Sequence, residues 1–389
     1  MSNNPASSHP SPGIAVIGGG AIGLSIAWRL AASGASVDVF ERDEAGHGAS
    51  WAAAGMLAAG VEAEPGEAAL FDLNRESRRR WPDFARALEA ASGIDVGYRD
   101  EGTLRIALTR DDAAKLRASY SFQRQAGVEV EWLDGPAVRR LEPHLAPGTV
   151  AGVLSRSDHQ VDNRCVVMAL ARAARRAGAR LHENAPVERI EIEGGRVAGL
   201  RIAGTRRDFD IVVLAAGAWS RDLPGLPDVA KPPVRPVKGQ MLALQMDPDA
   251  PLLRHVLWAP RAYLVPRRDG RLIVGATVEE RGFDASQTAG AVLALLDGAW
   301  RALPGVEELP IAAMWTGFRP GSRDDAPVLG LCGVEGLVLA TGHYRNGILL
   351  TPVTADAISR LILTGEVQAA IRPFGIDRFV MPASHKETV

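Results

Sequence analysis

Four consecutive apolar residues, Ile14-Ala15-Val16-Ile17, run into Gly18-Gly19-Gly20. A short continuous apolar run bounded by glycine predicts a strand buried on both faces. Apolar positions then recur at helical spacing to about Ala32, and Gly34 stands where a helix C-cap belongs. A second apolar strand, Val37–Phe40, ends on Glu41, which completes a βαβ opening. Downstream the pattern predicts a polar helix over Ala68–Ser92, a strand over Thr103–Leu108 and a helix over Asp111–Gly127. A helix runs from Asn163, with Val166, Met168, Ala169, Leu170 and Ala173 as its apolar pattern, to a stop at Gly178. Strands Val187–Ile192 and Val197–Ile202 are joined by Gly194-Gly195, a good hairpin turn. Asp210–Gly217 is another continuous apolar strand. A strand-rich middle follows (Gly239–Gln245, Ala262–Pro266, Leu272–Thr277), then a strand over Leu337–Ala340, a turn over Gly342–Gly347 and a helix to about Leu363. There is no internal repeat.

Strands of one buried, parallel type thus fall near residues 14, 37, 210 and 337, with strand-rich material inserted between them. The expected architecture is two-domain α/β. A Rossmann-like dinucleotide domain is assembled from 13–80, 150–225 and 325–380. An inserted mixed-sheet α+β substrate domain is assembled from 81–149 and 226–324. Residues 1–12 read as a disordered tail.

Composition narrows this further. The 389 residues include 41 glycines with no low-complexity run, so the surplus points to close backbone approach at several sites. A net charge of −2 without a basic stripe argues against nucleic acid as a partner. Two cysteines exclude a disulfide framework and fit a reducing cytoplasm. The apolar stretch Ile14–Trp28 is too short and too glycine-broken to span a membrane. The histidines are scattered without metal spacing, so no metal is expected, and Asp158-His159 reads as a loop pair.

Gly18-x-Gly20-x-x-Gly23 follows a strand and opens a helix, and Glu41 ends the next strand. Glycines there allow a tight turn, close approach of a pyrophosphate and helix–strand packing, while the helix N-terminus through Ala21 and Ile22 offers unpaired N–H groups. Glu41, with Arg42 beside it, suits ribose hydroxyls rather than a 2′-phosphate. The motif alone leaves FAD and NAD open. The late apolar strand ending in Ala-Ala-Gly217-Ala-Trp is the pattern of two-domain FAD oxidoreductases.

Five further stretches carry a family resemblance: GASWAAAGML (48–57), PVKG (236–239), YLVPRRDGRLIVGAT (263–277), WTGFRPG (315–321) and GHYRNGILLTP (342–352). In this combination the chain resembles the D-amino-acid oxidase superfamily, and most closely its glycine oxidase branch, of thiamine synthesis. The resemblance implies a flavoprotein enzyme that oxidises glycine or a small D- or N-methyl amino acid by hydride transfer, with O₂ reduced to H₂O₂. It implies that Ala49, Ser50, Ala54, Gly55 and Met56 run past the flavin and that Val187 holds the adenine. Gly217 and the turn His343, Tyr344, Arg345, Asn346, Gly347, Ile348 and Leu349 complete the cofactor site. Arg319 would hold the substrate carboxylate and Tyr263 would adjust it, with Arg345, Met56 and Arg261 at the substrate end. Arg261, Val278 and Trp51 differ from the residues that close relatives carry. No cysteine lies just before Pro327, where the sarcosine oxidase branch attaches its flavin, so FAD is expected to be non-covalent. The expected partners are a small amino acid and O₂, with a homo-oligomer open. The alternatives are an amine dehydrogenase of the same fold using a quinone or partner subunit, and a non-catalytic or RNA-modification flavoprotein.

Overall fold

The computed structural model describes residues 13–63 and 66–379; the expected N-terminal tail lies outside them. The sheet that the apolar runs predict has six strands, in the order Val328–Leu331, Leu337–Thr341, Ile211–Leu214, Ile14–Ile17, Val37–Phe40, Arg180–His182. All neighbours pair in parallel except the antiparallel edge strand Val328–Leu331.

Both faces of this sheet are covered, which is why its strands carry no polar alternation. Ile14 and Val16 pack among helices Ala21–Ala32, Ala68–Ser92, Asn163–Arg176 and Thr351–Thr364. Ala15 and Ile17 point the other way, into a three-stranded layer of Val187–Glu193, Arg196–Ile202 and Thr205–Asp208. The period of two along one strand therefore divides its side chains between two cores.

A second sheet has eight strands, in the order Ile311–Gly321, Arg235–Gln245, Arg271–Gly275, Tyr263–Pro266, Val256–Trp258, Thr103–Ala107, Ala151–Ser155, Glu131–Asp134. Helix Ala289–Ala302 packs on it through Leu295, Ala299 and Ala302. Met56–Leu57 and His159–Gln160 form a small antiparallel pair between the two sheets' segments. Among the described residues no helix is long and apolar enough to cross a membrane.

Two expected boundaries move. A cut after residue 80 falls inside helix Ala68–Ser92, whose Leu73, Trp81, Phe84 and Leu88 share one core with the parallel sheet. A cut before residue 150 would remove Ala151–Ser155 from the eight-stranded sheet, where it pairs with both Thr103–Ala107 and Glu131–Asp134. Of the two cysteines, Cys332 is buried and Cys165 is half-buried in the first turn of its helix.

Candidate active site

One elongated cavity of about 560 Å³ lies along the carboxyl ends of the central parallel strands and continues onto the face of the second sheet. Its first part is the glycine turn. Gly18 has φ +106°, and a Cβ there would stand 2.4 Å from the Ala215 carbonyl oxygen. A Cβ at Gly23 would come within 2.0 Å of the Gly18 oxygen, so this glycine serves helix–strand packing and does not line the cavity. Gly20 is the N-cap of helix Ala21–Ala32 and has no side chain with which to cap it; Ser50 Oγ takes the Ala21 amide, and this end of the helix lines the cavity.

Neighbouring groups hold the turn in place. The Gly19 amide donates to Glu41 Oε2 at 2.7 Å, and the Ala21 amide donates to Ser50 Oγ at 2.9 Å. Glu41, Arg42, Val187 and Gly217 line this part of the cavity. So does Trp219, which ends the Ala-Ala-Gly-Ala-Trp stretch; the Arg42 guanidinium lies 3.7 Å from its ring centroid, and Phe283 stacks on it at 4.8 Å.

The middle of the cavity is walled by Ala49, Ser50 and the segment Ala54-Gly55-Met56, and across from them by the turn His343–Ile348. Gly55 has φ +68°, and a Cβ on it would stand 2.0 Å from the Val161 carbonyl oxygen. The turn is a short 3₁₀ segment, Tyr344–Asn346, with no side-chain cap at His343. The regular helix starts only at Thr351. Leu349 falls behind the wall: it is buried, and its carbonyl accepts from Ser77 Oγ and Trp81 Nε1.

His343 is buried with Nε2 3.1 Å from Thr354 Oγ1. Burial lowers its pKa to about 3, so the imidazole is neutral in the folded protein above that pH. In the unfolded chain it titrates near 6.5. Between these values the unfolded state binds one more proton, so stability falls as pH falls, by about 1.4 kcal/mol per pH unit; above about pH 7.5 the group contributes no pH dependence. The His343→Gln variant is expected to flatten the acid limb of the Tm–pH profile. Parallel limbs for variant and parent would remove His343 as a source of acid sensitivity.

The last part of the cavity sits on the second sheet, where two glycines make room for two long side chains. Arg319, on strand Ile311–Gly321, lies over Gly239 of the neighbouring strand; a Cβ at Gly239 would meet Arg319 Nη1 at 2.5 Å. Tyr263 lies over Gly275, its register partner, where a Cβ would be 2.4 Å from the ring. Arg319 Nη1 donates to the Thr277 carbonyl at 3.0 Å, and the rest of the guanidinium is free to face the cavity. Burial pushes the Tyr263 hydroxyl up, against the opposing pull of Arg319, and Glu62 adds to the upward push. The phenol therefore stays protonated and able to donate.

Met56, Trp258 and Met241 complete this end, with Met56, Tyr263 and Trp258 in one apolar cluster. Arg345 lines the opposite rim, exposed, with its guanidinium 5.3 Å from the Tyr344 ring centroid. Arg261 does not join the site. It precedes strand Tyr263–Pro266, its side chain is 65% exposed, and it pairs with Asp297 at 3.2 Å. Trp51 also faces away, packed between His47 and Arg164. Asp158 and His159 are not partners: Asp158 accepts from the Gly60 and Val61 amides, whereas His159 Nδ1 meets the Tyr98 hydroxyl.

The family model of the FAD-dependent oxidoreductases called DAO matches residues 13–361. A bifunctional ThiO/ThiG protein of Synechocystis sp. is 40% identical over 377 residues, which cover 94% of this chain and 54% of that protein. The chain thus spans about half the length of the bifunctional relative. A glycine oxidase of Geobacillus kaustophilus is 36% identical, covering 94% of this chain and 97% of its own. The crystal structure of glycine oxidase from the same species superposes with a TM-score of 0.88 at 34% identity, covering 95% of this chain and all of the other.

Proposed function

The chain belongs to the DAO family of FAD-dependent oxidoreductases, and from that premise we propose that it oxidises glycine or another small amino acid, with O₂ as the electron acceptor. The observation that carries this reading is the pairing of Arg319 and Tyr263, laid over two glycines at the end of a cavity that begins at the glycine turn. A planar guanidinium matches a carboxylate bidentately, and a phenol beside it supplies one further donor.

The residues present fit the cofactor. The Gly18 turn and the helix end at Gly20 suit a pyrophosphate, Glu41 suits ribose hydroxyls, and the Gly55 segment leaves space for a flat ring. When bound, FAD supplies the two-electron oxidant that O₂ regenerates, giving H₂O₂. The chain's own part is to orient and to exclude water. Arg319 and Tyr263 fix the carboxylate, Met56 and Trp258 close the apolar side, and Arg345 stands at the rim. His343, neutral and bonded to Thr354, is turned away from the role of base. Positioning and electrostatics carry the step in this reading. Gly18, Gly20, Ala21, Ile22, Glu41, Arg42, Ser50, Val187 and Gly217 are assigned to the cofactor.

The test is anaerobic addition of glycine, sarcosine and D-alanine in turn to the purified flavoprotein, followed by admission of air. Loss of the visible flavin absorbance and stoichiometric H₂O₂ are expected. Rapid dye reduction without peroxide would replace the oxidase with a dehydrogenase.

A further inference from the structure

Arg267 follows directly on the strand that carries Tyr263, and it is the one arginine among the described residues that is buried. No carboxylate lies within ion-pair distance of it among the described residues; nearby Asp162 is bonded to Arg271 at 2.6 Å instead. Its guanidinium is spent on uncharged acceptors. Nη2 donates to the Ala54 carbonyl at 2.7 Å and to Asn163 Oδ1 at 3.1 Å. Nη1 donates to the Val161 carbonyl at 2.7 Å and to Gln160 Oε1 at 3.1 Å, while Nε has no partner.

The contacts continue from there. Asn163 Nδ2 donates to the Ser50 and Trp51 carbonyls at 2.8 and 3.0 Å, and Ser50 Oγ accepts from Ala21 at the head of the dinucleotide helix. Val161, held by Arg267 through its oxygen, donates its amide to the Gly55 carbonyl at 2.9 Å. One buried chain of hydrogen bonds thus runs from the Tyr263 strand to the segment Ala54-Gly55-Met56 and on to the glycine turn.

Burying a guanidinium that has no directly bonded carboxylate, with Asp162 acting on it only through space, is costly, and an apolar side chain of similar volume would fill the space at less expense. What the apolar side chain could not do is tie four acceptors on two segments, Ala54 and Gln160–Asn163, to the strand that carries Tyr263. We propose that Arg267 is a positioning residue of the oxidation proposed above. It fixes the distance between the wall that faces the flavin and the strand that faces the substrate, with Asn163 relaying the same restraint to the cofactor turn. This inference rests on the assignment of Ala54–Met56 to the flavin.

The holoenzyme variants Arg267→Lys, Arg267→Met and Asn163→Ala separate this role from a merely structural one. In Arg267→Met and Asn163→Ala, kcat per bound FAD is expected to fall about 10–100-fold, the cost of a displacement on the order of 1 Å. KM for glycine should stay within about threefold, because Arg319 and Tyr263 are untouched. The visible circular dichroism of the bound flavin should change and its dissociation constant should rise, with Arg267→Lys intermediate in each. A lowered Tm with unchanged flavin dichroism, FAD affinity and kcat per flavin would overturn the proposal. If the Arg267 variants do not fold, Asn163→Ala alone decides by the same measurements. If glycine and the other small amino acids fail to bleach the parent protein, the substrate reading falls, and the dichroism and FAD affinity still judge the brace.

Discussion

Arg319→Ala raises the KM for glycine by about 30- to several-thousand-fold while FAD stays bound. The range corresponds to about 2–5 kcal/mol, the cost of leaving one member of a buried, hydrogen-bonded charge pair without its partner. The geometry sharpens the expectation. Arg319 uses one Nη1 hydrogen on the Thr277 carbonyl, which holds the fork in place, and Gly239 keeps the floor beneath it clear. The side chain that remains after truncation cannot reach the carboxylate, and all three atoms nearest the Gly239 floor belong to Arg319. Arg319→Lys keeps the charge but loses the fork, so an intermediate KM is expected. Steady-state kinetics on protein of known flavin content check both. A KM unchanged in Arg319→Ala would remove this residue from the site and, with it, the observation that carries the functional reading.

The second large effect is expected at the other end of the cavity. In Gly18→Ala a methyl group would have to stand 2.4 Å from the Ala215 oxygen and 2.8 Å from its carbon, on a backbone at φ +106° that an L-residue rarely adopts. All the atoms it would meet are backbone of Ala215 and Ala216, which leaves little room to yield. Strain and overlap together amount to about 2–5 kcal/mol, which the turn recovers only by opening. The variant is expected to lose FAD on gel filtration, seen as a drop in the ratio of visible to ultraviolet absorbance. Far-ultraviolet circular dichroism tells loss of cofactor from loss of fold. Full flavin content in a folded Gly18→Ala protein would mean that the turn does not need glycine at this position.

Where the sequence carried strong periodicity, the fold could be read from it. The runs at residues 14, 37, 211 and 337 are apolar because both faces of their sheet are covered, and such runs cannot be mistaken for loops. Thr205–Asp208 escaped because it is exposed throughout, so no alternation marks it. Helix Ala289–Ala302 escaped for another reason: Gly290 and Gly298 interrupt its pattern, yet Gly298 is there because a Cβ would meet Arg261 and Ala262 at 3.1–3.2 Å. The site divides in the same way. Gly18, Gly20, Glu41, Arg319 and Tyr263 lie in motifs, and the structure brings them to one cavity. Trp258 and Glu62 line it from segments with no pattern of their own. Arg261 was placed at the substrate end by the family resemblance alone, but residue 261 sits in the bend before strand Tyr263–Pro266 and its guanidinium turns outward to Asp297.

The parallel sheet has a consequence for how the protein is made. Ile14–Ile17 finds its central neighbour in Ile211–Leu214, about 200 residues later, and Gly18 closes against the Ala215 that follows. Contacts of such long range are slow to form because the intervening loop must be closed first. At about 5–20 residues per second the ribosome needs roughly 10–40 s to supply the second strand. For that interval the nascent N-terminus exposes one of the most apolar strands in the chain, with its glycine turn unfinished. Cofactor capture therefore waits until Ile211–Leu214 and the cavity wall His343–Ile348 have been made, and the newborn βαβ segment is the part most in need of shelter before then.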